Sequence, residues 1–413
     1  MKKENFIERR KILMDKIKDN SLVIFYAGDL IKKTADEYYT FSPNRNFYYL
    51  TGLKKDEFIL MLKKSKNELK EILFIPKNDP EIEKWVGRKL SKEEVQEITG
   101  VKSVEFLENY EKSLNVYINN DFIENVYFDF ERLSWEDKEN LPENFSKKLI
   151  GNYPYLKIEN IYNQVCEMRM IKSESEIEYI KKAIQITKLG IEKMIKNMKP
   201  GMKENEIEAY FDFVLKQKGA TDHAFHTIAA AGKNATVLHY NDNNGDTKDG
   251  DLILFDLGAS YEYYSSDVSR TFPVNGKFSD RQKQIYSVVL KAMKEVEVNT
   301  KPGVKLSDLQ NIAKIVLAEG CKSLGLIKED SELFKYYYHG VAHFLGLDTH
   351  DVGKRDMELK PGMVITNEPG LYIAEENIGI RIEDDLLVTE NGCENLSKDI
   401  IKEIEEIEDF MKK

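Results

Sequence analysis

Four acidic residues inside apolar, strand-like segments constrain the fold of this chain more than any other feature. Asp256 and Asp267 lie in LILFDLGASYEYYSSDVSRTFP, and Glu368 and Glu383 lie in VITNEPGLYI and IGIRIEDD. Burying a carboxylate in such a strand is costly unless a cation or hydrogen-bond donors compensate it. The sequence therefore predicts two hairpins, each bringing one pair of carboxylates together.

The midpoint of the first pair predicts where the first hairpin turns. A turn between Tyr261 and Glu262 would place Asp256 and Asp267 opposite each other on one face of the hairpin. Tyr-Glu is a poor turn sequence, which counts against this register. An alternative stays open, in which Asp256 pairs with Arg270 and Asp267 caps a turn.

The second pair is symmetric about a more favourable turn region. Glu368 and Glu383 are equally distant from Glu375-Glu376, so a turn there would again align two carboxylates. Arg381 has the same strand parity as Glu383 and should point the same way, where it could orient a carboxylate. In the alternative, Glu368 is an ordinary loop residue before Pro369-Gly370, but two such hairpins in one chain would then be a coincidence.

Histidine is confined to the same half of the chain. All six histidines lie between positions 223 and 350, and three of them, His339, His343 and His350, fall in HGVAHFLGLDTHD. One imidazole added to four carboxylates would complete a site for two metal ions. The other histidines, with His239 in TVLHYND, would then be free to donate hydrogen bonds to a developing oxyanion.

The ligand set indicates the kind of metal. Carboxylates and imidazole are hard, oxygen-rich ligands that suit divalent manganese, cobalt or zinc, and they argue against a thiolate site. The three cysteines are far apart and form no C-x-x-C motif, which favours small core residues in a reducing cytosol. These observations predict a metallohydrolase.

Length and composition limit the remaining possibilities. A chain of 413 residues is expected to form two domains. Its formal net charge of −11 disfavours nucleic acid and anionic membranes as partners. The N-terminus lacks an apolar segment of signal-peptide length, and no run approaches the ~18 apolar residues of a membrane span. A cytoplasmic location is expected.

The pattern of apolar residues divides the chain. Residues 1–150 predict an α/β domain, residues 151–172 a linker, and residues 173–413 an α+β domain in which long amphipathic helices alternate with antiparallel strand pairs. Capping boxes predict helix starts at Ser91, Ser173, Ser279 and Ser307. The strands expected in the first domain are 21–28, 46–52, 57–64, 71–76 and 125–130.

The residues above resemble one known family, the aminopeptidase P and prolidase metallopeptidases of pita-bread fold. The resemblance rests on four catalytic-half stretches: LHYNDNNGDTKDGDLILFDLGASYEYYSSDVSRTFPVNGKF, HGVAHFLGLDTHDVG, LKPGMVITNEPGLYI and IGIRIEDDLLVTENGCENL. In the N-terminal half it rests on TADEYYTFSPNRNFYYLTG and KWVGRKL, and at the junction on EMRMIKSESEIEYIKKA. It implies a C-terminal pita-bread domain preceded by a smaller, non-catalytic α/β domain.

The resemblance also implies roles for the metal ligands. Asp256 would chelate one metal, Asp267 and Glu383 would bridge both, and His343 and Glu368 would complete the other. A hydroxide held between the two ions would attack the scissile carbonyl, and Glu368 would pass its proton to the leaving imino nitrogen. The expected metal is Mn²⁺, with Co²⁺ or Zn²⁺ as alternatives.

Further positions match the family's substrate-binding residues. His239, His339 and His350 correspond to histidines that bind substrate and handle protons, Arg381 to an arginine that positions them, and Tyr372 to a substrate-binding position. Trp85 matches a tryptophan that, in bacterial aminopeptidase P, reaches a neighbouring subunit's pocket and limits substrate length.

The resemblance finally implies an activity and its rivals. The expected reaction is release of the residue that precedes proline in a peptide, by a homodimer or homotetramer. A strict Xaa-Pro dipeptidase is the alternative, because the spacer between Glu368 and Glu383 is shorter than in some aminopeptidases P. A catalytically inactive, protein-binding relative is a remote alternative.

Overall fold

The structure is a computed structural model that describes residues 1–66, 68–132 and 134–412. The chain forms two compact units, one spanning Met1–Arg169 and the other beginning at Met170. Among the described residues, none of the helices is both long and apolar enough to cross a bilayer.

The first unit is built on a six-stranded mixed sheet. Its strand order is β6-β5-β4-β1-β7-β8, with antiparallel pairs among β1, β4 and β5 and parallel pairs elsewhere. Leu22, Ile24, Ile72, Phe74 and Phe128 lie in its core. The strands are β1 Ser21–Tyr26, β2 Lys32–Thr34, β3 Glu37–Tyr38, β4 Ile59–Ser65, β5 Glu68–Ile75, β6 Ser103–Phe106, β7 Asn125–Phe128 and β8 Lys157–Asn160. The helices are α1 Lys3–Asp15, α2 Arg45–Thr51, α3 Pro80–Val86, α4 Lys92–Thr99, α5 Tyr110–Asn120, α6 Leu141–Asn152 and α7 Tyr162–Met170.

One predicted strand of this unit is a helix. Residues 46–52 were expected to be extended because they form an aromatic, apolar run, but Arg45–Thr51 is α2. The Asn44 side chain caps its start by accepting from the backbone N–H of Phe47, and Gly52 ends it in the left-handed conformation. Helix α2 is buried along almost its whole length, so apolar residues surround it on all sides. The sequence therefore lacks the alternation of apolar and polar residues that identifies an amphipathic helix.

The segment predicted as a linker, residues 151–172, contains regular structure. Its strand β8 pairs in parallel with β7 and extends the sheet of the first unit. Helix α7 follows it and ends where the two compact units divide.

The second unit combines long helices with antiparallel strand pairs, as the sequence predicted. Its helices are α8 Glu174–Asn197, α9 Glu204–Lys218, α10 Asp280–Asn299, α11 Leu306–Ser323 and α12 Ile404–Met411. Its strands are β9 Asp222–His223, β10 Ile228–Ala231, β11 Leu252–Leu257, β12 Ala259–Tyr261, β13 Tyr264–Ser265, β14 Val268–Pro273, β15 Val364–Asn367, β16 Gly370–Ile373, β17 Ile378–Arg381, β18 Asp384–Val388 and β19 Cys393–Asn395.

Three of the four predicted capping boxes are present. Those at Ser91, Ser173 and Ser279 precede α4, α8 and α10. The prediction at Ser307 was wrong, because α11 begins at Leu306 and the Asp308 side chain accepts from the backbone N–H of Lys305.

The first hairpin pairs in a register two residues away from the predicted one. Asp256 lies opposite Ser269 rather than Asp267. Glu262 and Tyr263 form the turn with φ of 53° and 64°, so the turn lies one residue later than expected. Two consecutive positive φ angles suit the right-handed twist of a hairpin.

The second hairpin has the predicted register. Asn367 pairs with Asp384 and Gly370 pairs with Arg381, so Glu368 and Glu383 occupy equivalent positions between those pairs. The chain reverses through a short 3₁₀ turn at Ala374–Glu376, which Asn377 ends in the left-handed conformation. The expected symmetry about Glu375-Glu376 is confirmed.

Candidate metal centre

Three predicted ligands converge in the second unit. Donor atoms of Asp267, His343 and Glu383 all lie within 4.8 Å of one another. His343 Nε2 is 3.4 Å from Asp267 Oδ2 and 3.7 Å from Glu368 Oε1. Three carboxylates from three separate segments therefore surround the imidazole of His343.

Asp256 joins this group from the side of the first hairpin. Its Oδ2 accepts a 2.5 Å hydrogen bond from Arg381 Nη2, while its Oδ1 is buried without a hydrogen-bond partner. Its alternative partner, Arg270, neighbours the opposite residue Ser269 and instead binds Asp384. The alternative reading of Asp256 as an Arg270 ion pair is therefore wrong.

Backbone hydrogen bonds between the segments fix the ligand positions. The N–H of Glu383 donates to Ser269 O at 3.0 Å, which ties the second hairpin to the first. The N–H of Glu368 donates to Val341 O at 2.8 Å, and Thr366 bonds His343 through both its N–H and its hydroxyl. The histidine segment thus runs beside β15 as an irregular strand, not as a helix.

The carboxylates of the centre are short of positive charge. Burial, followed by repulsion from Glu383, raises the pKa of Asp267 and the pKa of Glu368 well above their usual values. Burial and the neighbouring Asp256 raise the pKa of Glu383 to about 7. Arg381 contacts a carboxylate of this cluster directly, through the bond from its Nη2 to Asp256.

The donor set fits divalent cations. Asp256 Oδ1 and Asp267 Oδ1 are buried oxygens without a partner among the described residues, and a bound cation would satisfy both. Four carboxylates around one imidazole supply the oxygen-rich coordination that such ions accept. Mutual repulsion among the carboxylates would be relieved by the same ions.

A chain of hydrogen bonds runs from Arg381 to His339. Arg381 Nη1 donates to Tyr372 Oη at 2.8 Å, and Tyr372 Oη lies 2.9 Å from His339 Nε2. Burial, and then Arg381, lower the pKa of His339 to about 3, so its imidazole is neutral. Since His339 Nδ1 faces Gly340 O at 2.7 Å and must donate, Nε2 accepts the Tyr372 proton.

Two further histidines lie beside this chain. The ring of His350 is 4.3 Å from the ring of His343, and burial followed by repulsion from His343 lowers the pKa of His350. Repulsion from His239 contributes to the lowered pKa of both His339 and His350, so His239 lies within electrostatic range of each of them.

Trp85 belongs to the first unit. It lies on α3, a helix without buried residues, and its side chain is 88% exposed. The structure therefore places this predicted substrate-binding residue on the surface of that unit.

Two polar residues of the centre were not predicted. Ser269 Oγ donates to Glu383 Oε2 at 2.8 Å and accepts from Arg381 Nε at 2.7 Å. Asp385 Oδ2 accepts from the backbone N–H of Asp267 at 3.2 Å. Strand parity was the available signal, since Ser269 is two residues from Asp267 and Asp385 is two residues from Glu383.

Comparisons with known proteins agree across both units. Residues 178–390 match Metallopeptidase family M24, and residues 6–127 match the aminopeptidase P N-terminal domain. The chain is 33% identical to the Xaa-Pro aminopeptidase of Escherichia coli, covering 99% of this chain and 98% of that protein, and 35% identical to the Haemophilus influenzae enzyme over 99% and 97%.

Solved structures give the same result. A Bacillus anthracis structure named as a candidate aminopeptidase P superposes with a TM-score of 0.98 at 53% identity, covering 100% of this chain and 98% of that one. An E. coli aminopeptidase P variant in complex with substrate superposes with a TM-score of 0.92 at 31% identity, with the same coverage.

Proposed function

Because the chain belongs to metallopeptidase family M24 and carries the N-terminal domain of aminopeptidase P, we propose that it releases the first residue of peptides whose second residue is proline. It is a metal-dependent peptidase of the Xaa-Pro aminopeptidase type, with a pita-bread domain that follows a smaller α/β domain. The observation that carries the proposal is the convergence of Asp267, His343 and Glu383 beside Glu368.

Five residues would hold two divalent ions: Asp256, Asp267, His343, Glu368 and Glu383. Such ions supply a water-derived nucleophile at neutral pH and polarise the scissile carbonyl. As the family resemblance implies, Asp267 and Glu383 would hold both ions, and the charge of those ions would offset the repulsion that Glu383 exerts on Asp267. Manganese is the proposed metal, and cobalt or zinc could replace it.

Glu368 is the proposed proton carrier. Its Oε1 lies 3.7 Å from His343 Nε2 and its Oε2 lies 3.5 Å from His339 Nδ1, so the carboxylate lies between these two histidines. It would take a proton from the attacking water as oxygen bonds to the carbonyl carbon, and return it to the proline nitrogen as the C–N bond breaks.

The neutral His339 and the residues behind it would orient the substrate. Arg381 and Tyr372 fix the tautomer of His339, and His239 and His350 flank the same space. His239 and His350 would donate to the oxygen of the tetrahedral intermediate or accept from the peptide's amino group, whereas His339, whose two ring nitrogens are already hydrogen-bonded, would shape the pocket beside them. An Xaa-Pro bond has no N–H, so a peptidase for it needs contacts of this kind and does not read that donor.

Subunit contacts are part of the proposal. We propose a homodimer or homotetramer in the cytosol, in which the exposed Trp85 of one subunit limits the length of peptide bound by another. The exposure of Trp85, Val86 and Ile82 on α3 supports such a contact. The three free cysteines support a reducing compartment.

A peptide panel tests the proposal. Metal-loaded protein is incubated with Ala-Pro, Ala-Pro-Ala and Ala-Ala-Ala in the presence of manganese, cobalt or zinc. We expect alanine release from Ala-Pro-Ala and none from Ala-Ala-Ala. Cleavage of Ala-Pro alone would establish a strict dipeptidase instead, and no cleavage of either proline peptide would overturn the proposed activity.

A further inference from the structure

Glu204 is a buried carboxylate in the first turn of α9, outside the metal centre. The residue is 0% exposed. Its carboxylate accepts four hydrogen bonds: Oε1 from Ala231 N at 2.7 Å and Asn234 Nδ2 at 3.0 Å, and Oε2 from Tyr240 Oη at 2.9 Å and Gly245 N at 2.7 Å. A carboxylate that accepts so many bonds is held rigidly in one position.

The donors belong to three pieces of chain that border the metal centre. Ala231 ends β10, whose Ile228 pairs with the proposed ligand Asp256. Asn234 lies in a 3₁₀ turn at Gly232–Thr236 that packs on β17. The contact is close, since a Cβ on Gly379 would lie 1.9 Å from Ala235 O. This turn therefore fixes the strand that carries Arg381.

The third piece is the loop that carries His239. Tyr240 follows His239 directly, and Gly245 closes the loop against α9, where the backbone N–H of Glu204 also donates to Gly245 O at 2.9 Å. A side chain at Gly245 would meet Asn234 Nδ2 at 2.7 Å and Glu204 Oε2 at 3.0 Å. Glu204 thus holds the loop on both sides of its tip.

We propose that Glu204 is a positioning residue for the reaction, because it holds the loop of His239 at a fixed distance from Asp256 and Arg381. The proposal rests on the proposed function, in which His239 contacts the substrate. Glu204 itself reaches neither substrate nor metal.

Exchange of Glu204 for glutamine isolates this role. Glutamine has the same shape, but its amide offers one acceptor oxygen and one NH₂ donor, so two of the four donors would face another donor. Buried donors without an acceptor are costly, and the loop would shift to relieve them. We expect kcat/KM for Ala-Pro-Ala to fall about 10–100-fold, as with other outer-shell partners, with metal content unchanged.

A double-mutant cycle distinguishes positioning from general damage. Glu204→Gln is measured alone and in a His239→Ala background, at enzyme concentrations high enough to follow the slower variants. If Glu204 acts through His239, its exchange costs at least tenfold alone and less than about threefold once His239 is absent, because the two effects are not additive. Equal losses in both backgrounds, or wild-type activity of Glu204→Gln, would overturn the inference.

Two further variants complete the experiment. Glu206→Gln is the matched control, because exposed Glu206 caps the same helix through Lys203 N without reaching the loop, and we expect wild-type kcat/KM. If Glu204→Gln does not fold, Tyr240→Phe removes one donor and should lower kcat/KM by a smaller factor through the same cycle; an unchanged value refutes the inference. Failure of the wild-type chain to cleave Ala-Pro-Ala would count against the proposed function alone.

Discussion

Glu383 directly precedes β18 and Asp384 begins it, so their side chains point to opposite faces of the chain. Both are almost fully buried. Asp384 binds Arg270 Nη2 at 2.6 Å, Lys402 Nζ at 2.5 Å and Asn395 Nδ2 at 2.7 Å. Glu383 instead accepts from the hydroxyl of Ser269 and faces other carboxylates. The two carboxylates are equally buried, but basic side chains bind Asp384 whereas Glu383 faces other carboxylates.

The two pKa values express this difference. Burial alone would raise the pKa of Asp384, but Arg270 and Lys402 lower it to about 2. Burial and Asp256 raise the pKa of Glu383 to about 7. The charge of Asp384 is thus balanced within the protein, whereas the carboxylates around Glu383 would be balanced by the divalent cations proposed to bind there. A buried carboxylate points to a metal only when the protein does not itself neutralise it.

The largest expected effect comes from a substitution that disrupts only the proposed metal ligands on the side of Glu383, called the metal face below. Asp267→Asn removes a proposed bridging oxygen and should lower kcat/KM by more than the ~100-fold that loss of an outer-shell partner costs. The fold should persist, because asparagine has the same shape and relieves carboxylate repulsion. Activity, metal content and circular dichroism measure this, with exposed Asp399→Asn as the control. Retained turnover would remove Asp267 from the site.

The second largest effect is expected from a substitution on the opposite face, where Asp384 binds Arg270 and Lys402. Asp384→Asn would leave Arg270, which is fully buried, without its charged partner, and removing one member of a buried ion pair costs ~3–5 kcal/mol of folding free energy. Metal content per folded molecule should stay unchanged, since Asp384 points away from the ligands. Urea unfolding and metal analysis of the folded fraction test both points. Loss of metal without loss of stability would contradict the division between the faces.

The sequence predicted the register of one of the two hairpins that carry the candidate ligands. The register of the second hairpin could be read from the symmetry of Glu368 and Glu383, because the strands on both sides of the turn keep one register. In the first hairpin the same argument failed by two residues. Its turn uses two residues at positive φ, Glu262 and Tyr263, which composition does not favour.

Contacts between segments distant in sequence were not predictable. Nothing local indicates that Ser269 bridges Glu383 and Arg381, or that Glu204 reaches the loop of His239, because each contact depends on tertiary packing. The helix at Arg45–Thr51 was missed for a related reason: complete burial removes the polar face on which helical periodicity depends.

A third buried carboxylate, in the first unit, extends the comparison to pH. Asn46 Nδ2 donates to both oxygens of Asp129 at 3.1 and 3.0 Å, and Arg169 contacts Asn46 Oδ1. Burial raises the pKa of Asp129 to about 7, although Asn46 lowers it. The folded pKa lies above the unfolded value of ~3.9, so this stabilising contribution is full below about pH 4 and is lost as pH rises to 7.

The expected loss of stability between pH 4 and pH 8 is ~4 kcal/mol, because the pKa rises from ~3.9 to about 7 on folding and each pH unit in between corresponds to 1.36 kcal/mol. Asp129→Asn should abolish it. Hydrogen exchange of the β7 amides in the intact chain, compared between wild type and variant at each pH, isolates this residue from the intrinsic pH dependence of exchange. A constant difference between the two proteins across this range would show that Asp129 stays charged.

The smallest expected effect is the stabilisation of the folded chain by Mn²⁺, compared between the variants at Asp267 and Asp384. Ions that bind the folded chain alone stabilise it by about 2.7 kcal/mol when free Mn²⁺ is 100 times its dissociation constant. Asp384→Asn should be less stable than the wild type without metal but should gain the same stabilisation from Mn²⁺, because its proposed metal ligands are intact. Asp267→Asn should lose most of the increment while its metal-free stability stays equal to or above that of the wild type. Thermal unfolding with and without Mn²⁺ measures all three proteins, and an equal increment in Asp267→Asn would mean that the stabilising ions bind elsewhere.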